Sequence, residues 1–144
     1  MGKVKDILQT KGEMIYAVEP STMVYNAIEM MCEKNIGGVL IVEDAKLVGI
    51  FTERDYARKL ILKGKSSKDT PIHELMTSNL ITVTPDTSID DCMRVMVGRK
   101  IRHLPVLDNN LLVGLISIGD VVRHVIDEQK TIIQHLEYYI TGQQ

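Results

Sequence analysis

Short apolar runs alternate along this chain with stretches whose apolar residues recur every three to four positions, the two periods that distinguish strands from helices. Val24, Ala27, Ile28 and Met31 form one helical stripe, and Ile89, Cys92, Met93 and Met96 form another. Ahead of each stripe a short run, Ile15 to Val18 and Leu80 to Val83, predicts a strand. Each run leads into Pro-x-Thr, where Ser21 or Thr22, and Thr87 or Ser88, offer a hydroxyl to cap the helix that follows. Behind each stripe lie two apolar runs separated by turn formers. These are Gly38 to Val42 and Leu47 to Phe51 around Glu43-Asp44-Ala45-Lys46, then Leu104 to Leu107 and Leu111 to Ile116 around Asp108-Asn109-Asn110. Both predict hairpins. A second helix is predicted from Glu53 to about Leu62, and its counterpart from Gly119 onward. The unit is β-α-β-β-α, twice.

The two units are copies of each other. A shift of 65 aligns residues 20–61 on 85–126 without a gap, with ten identities in forty-two pairs, among them Pro20/Pro85, Thr22/Thr87, Gly49/Gly114, Asp55/Asp120 and Arg58/Arg123. Upstream, Asp6-Ile7-Leu8 resembles Glu74-Leu75-Met76. A unit of ~60 residues buries too little surface to be secure alone, so the expectation is two copies packed through their sheets. Lys63 to Pro71 reads as a hydrophilic connector, with a loop folding over a bound anion as the functional alternative. The apolar positions from Asp120 to Ile140 outrun what one unit's helix needs, which points to self-association or to packing back on the body.

Composition narrows the function. Seventeen Lys plus Arg against nineteen Asp plus Glu give a net charge of −2, so there is no global basic field for nucleic acid or an anionic membrane. No apolar run approaches a membrane span, and MGKVKDILQT lacks the apolar centre of a signal peptide, so the expected location is cytoplasmic. Cys32 and Cys92 form no CxxC and read as small buried residues, while the four histidines show no metal-ligand spacing.

The repeat carries one chemical feature in both copies, Val48-Gly49-Ile50-Phe51-Thr52-Glu53-Arg54-Asp55 and Val113-Gly114-Leu115-Ile116-Ser117-Ile118-Gly119-Asp120. A hydroxyl at a strand end, the free N–H groups of a helix start and its positive dipole meet at one point, which suits phosphate. A carboxylate one turn in can accept hydrogen bonds from the two hydroxyls of a ribose. The plainer reading makes Thr52 and Ser117 helix caps, with Asp55 and Asp120 favouring the positive helix end.

These signatures, with Arg102-His103-Leu104-Pro105-Val106, resemble the motifs of the cystathionine-β-synthase (CBS) domain family over about residues 1–128, in the manner of its small stand-alone members. The resemblance implies an α+β (mixed α/β) fold: two tandem β-α-β-β-α CBS motifs packed through their sheets into one pseudo-two-fold module. Residues 1–70 would be motif 1, 71–128 motif 2, and 129–144 a C-terminal helix extension. It implies a non-catalytic regulatory module that binds an adenine nucleotide in clefts between the motifs. AMP or NAD is preferred over ATP or S-adenosylmethionine. By position, Thr52, Arg54 and Asp55 would join Arg102 and His103 in a cationic cleft expected to hold phosphates best, and Ser117 and Asp120 would face Gly37 and Gly38. A homodimer is expected. The alternatives are a ligand-free interaction module regulating a partner such as a thioredoxin-like protein and, behind it, a nucleotide hydrolase using Asp55 or Asp120 as base.

Overall fold

The computed structural model describes residues 2–12 and 14–142; Met1, Glu13, Gln143 and Gln144, which the predicted motif boundaries include, lie outside the described residues. In chain order the elements are α1 (Val4–Lys11), β1 (Ala17–Val18), α2 (Val24–Lys34), β2 (Gly38–Glu43), β3 (Lys46–Thr52), α3 (Glu53–Asp55), a π-helical turn (Tyr56–Ile61), a 3-10 turn (Ile72–Glu74), α4 (Ile89–Arg99), β4 (His103–Asp108), β5 (Leu111–Ser117) and α5 (Ile118–Thr141). They form a mixed α/β structure with two β-α-β-β-α motifs and two sheets. The chain divides into two compact units, one of residues 14–81 with 110–112, the other of α1 with residues 82–109 and 113–142.

In the first of these units the strand order is β1-β2-β3, with β1 parallel to β2 and β2 antiparallel to β3. The β2–β3 turn consists of Asp44 and Ala45, both at positive φ (51° and 63°), the double left-handed geometry of a type I′ hairpin turn. The counterpart in the other unit uses Asn109 and Asn110, a residue type that tolerates this region better than alanine does. Val24, Ala27 and Met31 of the predicted stripe pack with Val39, Ile41, Phe51, Leu60, Ile72 and Leu75 into one core.

The expected caps on α2 do not form. Met23 holds the cap position, and no side chain satisfies the helix start. The N–H groups of Val24 and Tyr25 donate instead to the carbonyls of Thr70 and Ser67, both at 2.9 Å. The segment that reads as a hydrophilic connector therefore caps the start of the helix, and Thr70 is buried with its hydroxyl donating to Ser66 O at 2.7 Å. In the second copy Ser88 caps α4 as predicted, accepting from Asp91 N at 3.1 Å.

The predicted strands Ile15–Val18 and Leu80–Val83 are both shorter than expected, and one residue explains the difference between them. In the first copy Leu40 N donates to Tyr16 O at 3.1 Å, which extends the β1 ladder beyond the Val18↔Ile41 register. Pro105 occupies the position equivalent to Leu40 and has no N–H to give. The second copy consequently keeps only the parallel bridge Val83↔Val106, made by Val83 N to Pro105 O (3.0 Å) and Leu107 N to Val83 O (2.9 Å).

Segments upstream of each copy cross over in unit membership. The 3-10 turn precedes the second copy yet belongs to the unit of the first, and α1 precedes the first copy yet belongs to the unit of the second. The glycines of the two signatures accept these segments. A Cβ at Gly49 would lie 2.5 Å from Met76 Sδ, and one at Gly114 would lie 2.7 Å from Leu8 Cδ2. Met76 and Leu8 are the two residues that the weak upstream similarity aligns. Cys92 is buried as expected, and burial, reinforced by the neighbouring Asp91, pushes its thiol up to about 11. Cys32 corrects the expectation, since it is exposed on the outer face of α2.

Candidate functional site

Both signatures close in the same way. Gly38 pairs with Thr52 across β2 and β3, and Glu53 N donates to Gly37 O at 3.1 Å, so Gly37 and Gly38 lie beside Thr52 at the start of α3. Thr52 Oγ1 accepts from Asp55 N (3.4 Å), while Asp55 Oδ2 accepts from Thr52 N (3.0 Å), a reciprocal capping box. In the other unit Ile118 N donates to Arg102 O at 2.8 Å, which places Arg102 beside Ser117. Ser117 Oγ accepts from Asp120 N (3.2 Å), and Asp120 Oδ2 accepts from Ser117 N (2.8 Å). Within the units, then, Thr52, Arg54 and Asp55 group with Gly37 and Gly38, and Ser117 and Asp120 group with Arg102 and His103.

The surroundings of the two carboxylates differ. An ionised carboxylate has about four acceptor positions. Asp55 fills them: Thr52 N and Thr52 Oγ1 (3.2 Å) reach Oδ2, while Thr77 Oγ1 (3.2 Å) and Lys59 Nζ (3.1 Å) reach Oδ1. Asp120 has three donors, Ser117 N and Lys11 Nζ on Oδ2 and Arg123 Nη2 on Oδ1, each cation at 2.7 Å. Among the described residues no fourth donor reaches Asp120, and Arg123 is a largely exposed side chain that can swing away.

Electrostatics separate the two units further. Burial of Asp120 works to raise its pKa, but the bonds from Lys11 and Ser117 outweigh that and hold it below the ordinary carboxylate value. His103 moves the other way. Burial and the nearby Lys11 and Arg102 charges lower its pKa, against a smaller opposing pull from Asp120. A cavity of about 230 Å³ opens beside this group, and Thr10, Lys11, Asp120, Arg123 and His124 are among its lining residues.

Sequence reasoning omitted Lys11, Lys59, Thr77 and Arg123. Two of these leave a local signal, since Lys59 stands four residues after Asp55 and Arg123 three after Asp120, the spacings of neighbours on a helix face. Lys11 leaves none, because 109 positions separate it from Asp120. Among the described residues no group of three or more His, Cys, Asp or Glu side chains could hold a metal, and no helix is long and apolar enough to cross a membrane.

Two units of one repeated β-α-β-β-α plan, each ending a hairpin strand on a hydroxyl and opening a helix on a carboxylate, define a protein built from tandem copies of one small domain. The CBS domain model matches residues 4–62 and 72–127, and the chain belongs to the CBS-domain family, with two tandem copies of the domain. It is similar to a CBS-domain protein from Burkholderia ambifaria, with 48% identity, a TM-score of 0.85, and coverage of 88% of this chain and 96% of that one. It is similar to the mitochondrial CBS domain-containing protein CBSX3 of Arabidopsis thaliana, 40% identical over 96% of this chain and 72% of that protein. It is also similar to the CBS domain pair of protein MJ0100, solved in complex with 5′-methylthioadenosine and S-adenosyl-L-methionine. That match has 29% identity, a TM-score of 0.78, and coverage of 89% of this chain and 98% of that one. A CBS pair is a regulatory, non-catalytic module.

Proposed function

We propose that this chain senses an adenine nucleotide, AMP or NAD, and that the signature around Ser117 and Asp120 is its principal reader. The observation that carries this is the open acceptor position on Asp120 within a group that also holds Lys11, Arg102, His103 and Arg123. Ser117 and the α5 start present donors, the cations Lys11, Arg102 and Arg123 offset phosphate charge, and Asp120 accepts from the ribose hydroxyls. Arg123 moves to the phosphate when the ribose arrives. The Thr52, Arg54 and Asp55 group with Gly37 and Gly38 is the secondary station, because a ligand hydroxyl there must displace a bond that Asp55 already accepts. This order differs from the sequence expectation, which sets the phosphates at Thr52 and Asp55. The adenosyl ligands of the MJ0100 domain pair support the ligand class.

Binding lowers the free energy of the conformation that holds the nucleotide, and the module signals by the difference in affinity between its arrangements. Melting the purified protein with AMP, NAD, ATP and S-adenosylmethionine, with chromatography of the nucleotide afterwards, tests the reading. A saturable rise in melting temperature with the nucleotide recovered intact is expected. No rise with any of the four contradicts nucleotide sensing, and conversion of the nucleotide contradicts a non-catalytic sensor.

A further inference from the structure

Helix α5 carries polar side chains beyond the capping box at its start. Asp120, Arg123, His124 and Asp127 stand at i, i+3, i+4 and i+7, which is one face of a helix. Ile7, Thr10 and Lys11 follow the same spacing on α1, and the cavity of about 230 Å³ is lined by these two sets of residues. Ile7 is the apolar member of a lining that otherwise holds two carboxylates, two cations, an imidazole and a hydroxyl. The imidazole is unsatisfied. His124 Nε2 is buried with no hydrogen-bond partner among the described residues, and Glu128 Oε2 stands 3.5 Å away, outside hydrogen-bonding geometry. A buried polar nitrogen without a partner costs stability, and a ligand in the cavity can supply the missing group.

The first copy treats the corresponding positions differently. At the shift of 65, His124 corresponds to Lys59, and Asp127, one position past the aligned stretch, corresponds to Leu62. Lys59 is fully engaged: its Nζ donates to Leu75 O and Thr77 Oγ1, both at 3.2 Å, and pairs with Asp55 at 3.1 Å. Leu62 has no polar atom on its side chain to offer a ligand. One copy thus spends a cation on its own carboxylate, while the other sets an unpartnered imidazole and a second carboxylate beside a cavity.

We infer, on the footing that Asp120 reads a ribose as proposed above, that this cavity is the station for the second half of a dinucleotide, two nucleosides joined through a pyrophosphate, and that Asp127 reads the second ribose. Seven residues of helix separate the two carboxylates by about 10 Å along the axis. Positions 123 and 124 lie between them, and Lys11 faces the same space from α1. A ribose at each carboxylate therefore sets the bridging phosphates against two cations and the free imidazole nitrogen. Size and polarity decide what else enters. The cavity, at about 230 Å³, is smaller than the pockets that enclose whole drug-sized ligands, so it takes a sugar with its phosphate. The second base finds no apolar wall beyond Ile7 and stays in solvent. AMP, with one ribose, leaves His124 and Asp127 unused.

Calorimetric titration of AMP, ADP-ribose and NAD into the full chain separates the two halves of the ligand. ADP-ribose has both riboses and the pyrophosphate but lacks the second base. It is expected to bind as tightly as NAD, and both about tenfold or more tighter than AMP. Asp127→Leu installs the first copy's residue at an exposed position, and is expected to remove most of that advantage while AMP affinity changes by less than about twofold. His124→Phe keeps the bulk of the ring without Nε2 and is expected to act in the same direction. AMP binding with ADP-ribose no tighter overturns the inference and leaves nucleotide sensing standing. Tight NAD beside weak ADP-ribose assigns the gain to the second base and overturns it too, as do equal losses of AMP and NAD in Asp127→Leu. Binding of none of the three removes the nucleotide reading itself, and the second station with it.

Discussion

Replacing Lys11 by Met removes one cation from Asp120 and keeps most of the side-chain stem. The ion pair is 2.7 Å long, Asp120 is almost fully buried, and the lysine side chain is 36% exposed, so the pair stands between two known regimes. An exposed pair contributes up to about 1 kcal/mol, and breaking a buried one costs about 3–5 kcal/mol. Arg123 and Ser117 N still hold Asp120 after the substitution, which places the loss at roughly 1–2 kcal/mol, or a drop in melting temperature on the order of 5 °C. The pH dependence carries the proof. The folded-state pKa of Asp120 is depressed, so its contribution is complete above the unfolded carboxylate value and disappears as pH falls through the lower folded value. Urea unfolding of both proteins between pH 7.5 and 2 should show a gap in stability that is constant above pH 5 and closes in acid. Equal stability at pH 7.5, or a gap that persists unchanged to pH 2, refutes the assignment of Lys11 to Asp120.

Gly49→Ala drives a methyl into Met76 and should cost about 1–3 kcal/mol, with part of the loss recovered in the double variant Gly49→Ala/Met76→Ala; strictly additive losses in chemical denaturation refute the contact. Ala45→Gly relieves a left-handed alanine and should raise stability by roughly 0.5–1 kcal/mol, read as a higher denaturation midpoint at unchanged slope. Burial and the nearby Lys11 charge hold the folded-state pKa of His103 below its ordinary value of 6.5, so the unfolded chain takes up its proton first and His103 lowers stability as pH falls through that range. His103→Gln should flatten that part of the pH–melting curve, and an unchanged curve refutes the shift.

Much of this architecture is visible in the chain itself, because the 65-residue repeat doubles every signal. The hairpins, the α4 cap at Ser88 and the core stripes stand where the periodicity puts them. What sequence conceals is long-range pairing. The cap of α2 is built from the Ser67 and Thr70 carbonyls, main-chain atoms that no side-chain pattern advertises. The shortened strand before α4 turns on the absent N–H of Pro105, legible only once the register is known. The signature residues were readable as a hydroxyl and a carboxylate, but the difference between a saturated Asp55 and an open Asp120 depends on Thr77 and Lys11, which lie 22 and 109 positions away.

Calorimetric titration of AMP into the unsubstituted protein, Asp120→Ala and Asp55→Ala, each well below its melting temperature, weighs the two carboxylates directly. The account predicts saturable heat from the unsubstituted chain, a loss of affinity of tenfold or more in Asp120→Ala, and a smaller loss in Asp55→Ala, since one hydrogen bond to a charged group is worth about 1.5–3 kcal/mol. Affinity that survives Asp120→Ala intact while Asp55→Ala abolishes it would contradict the account.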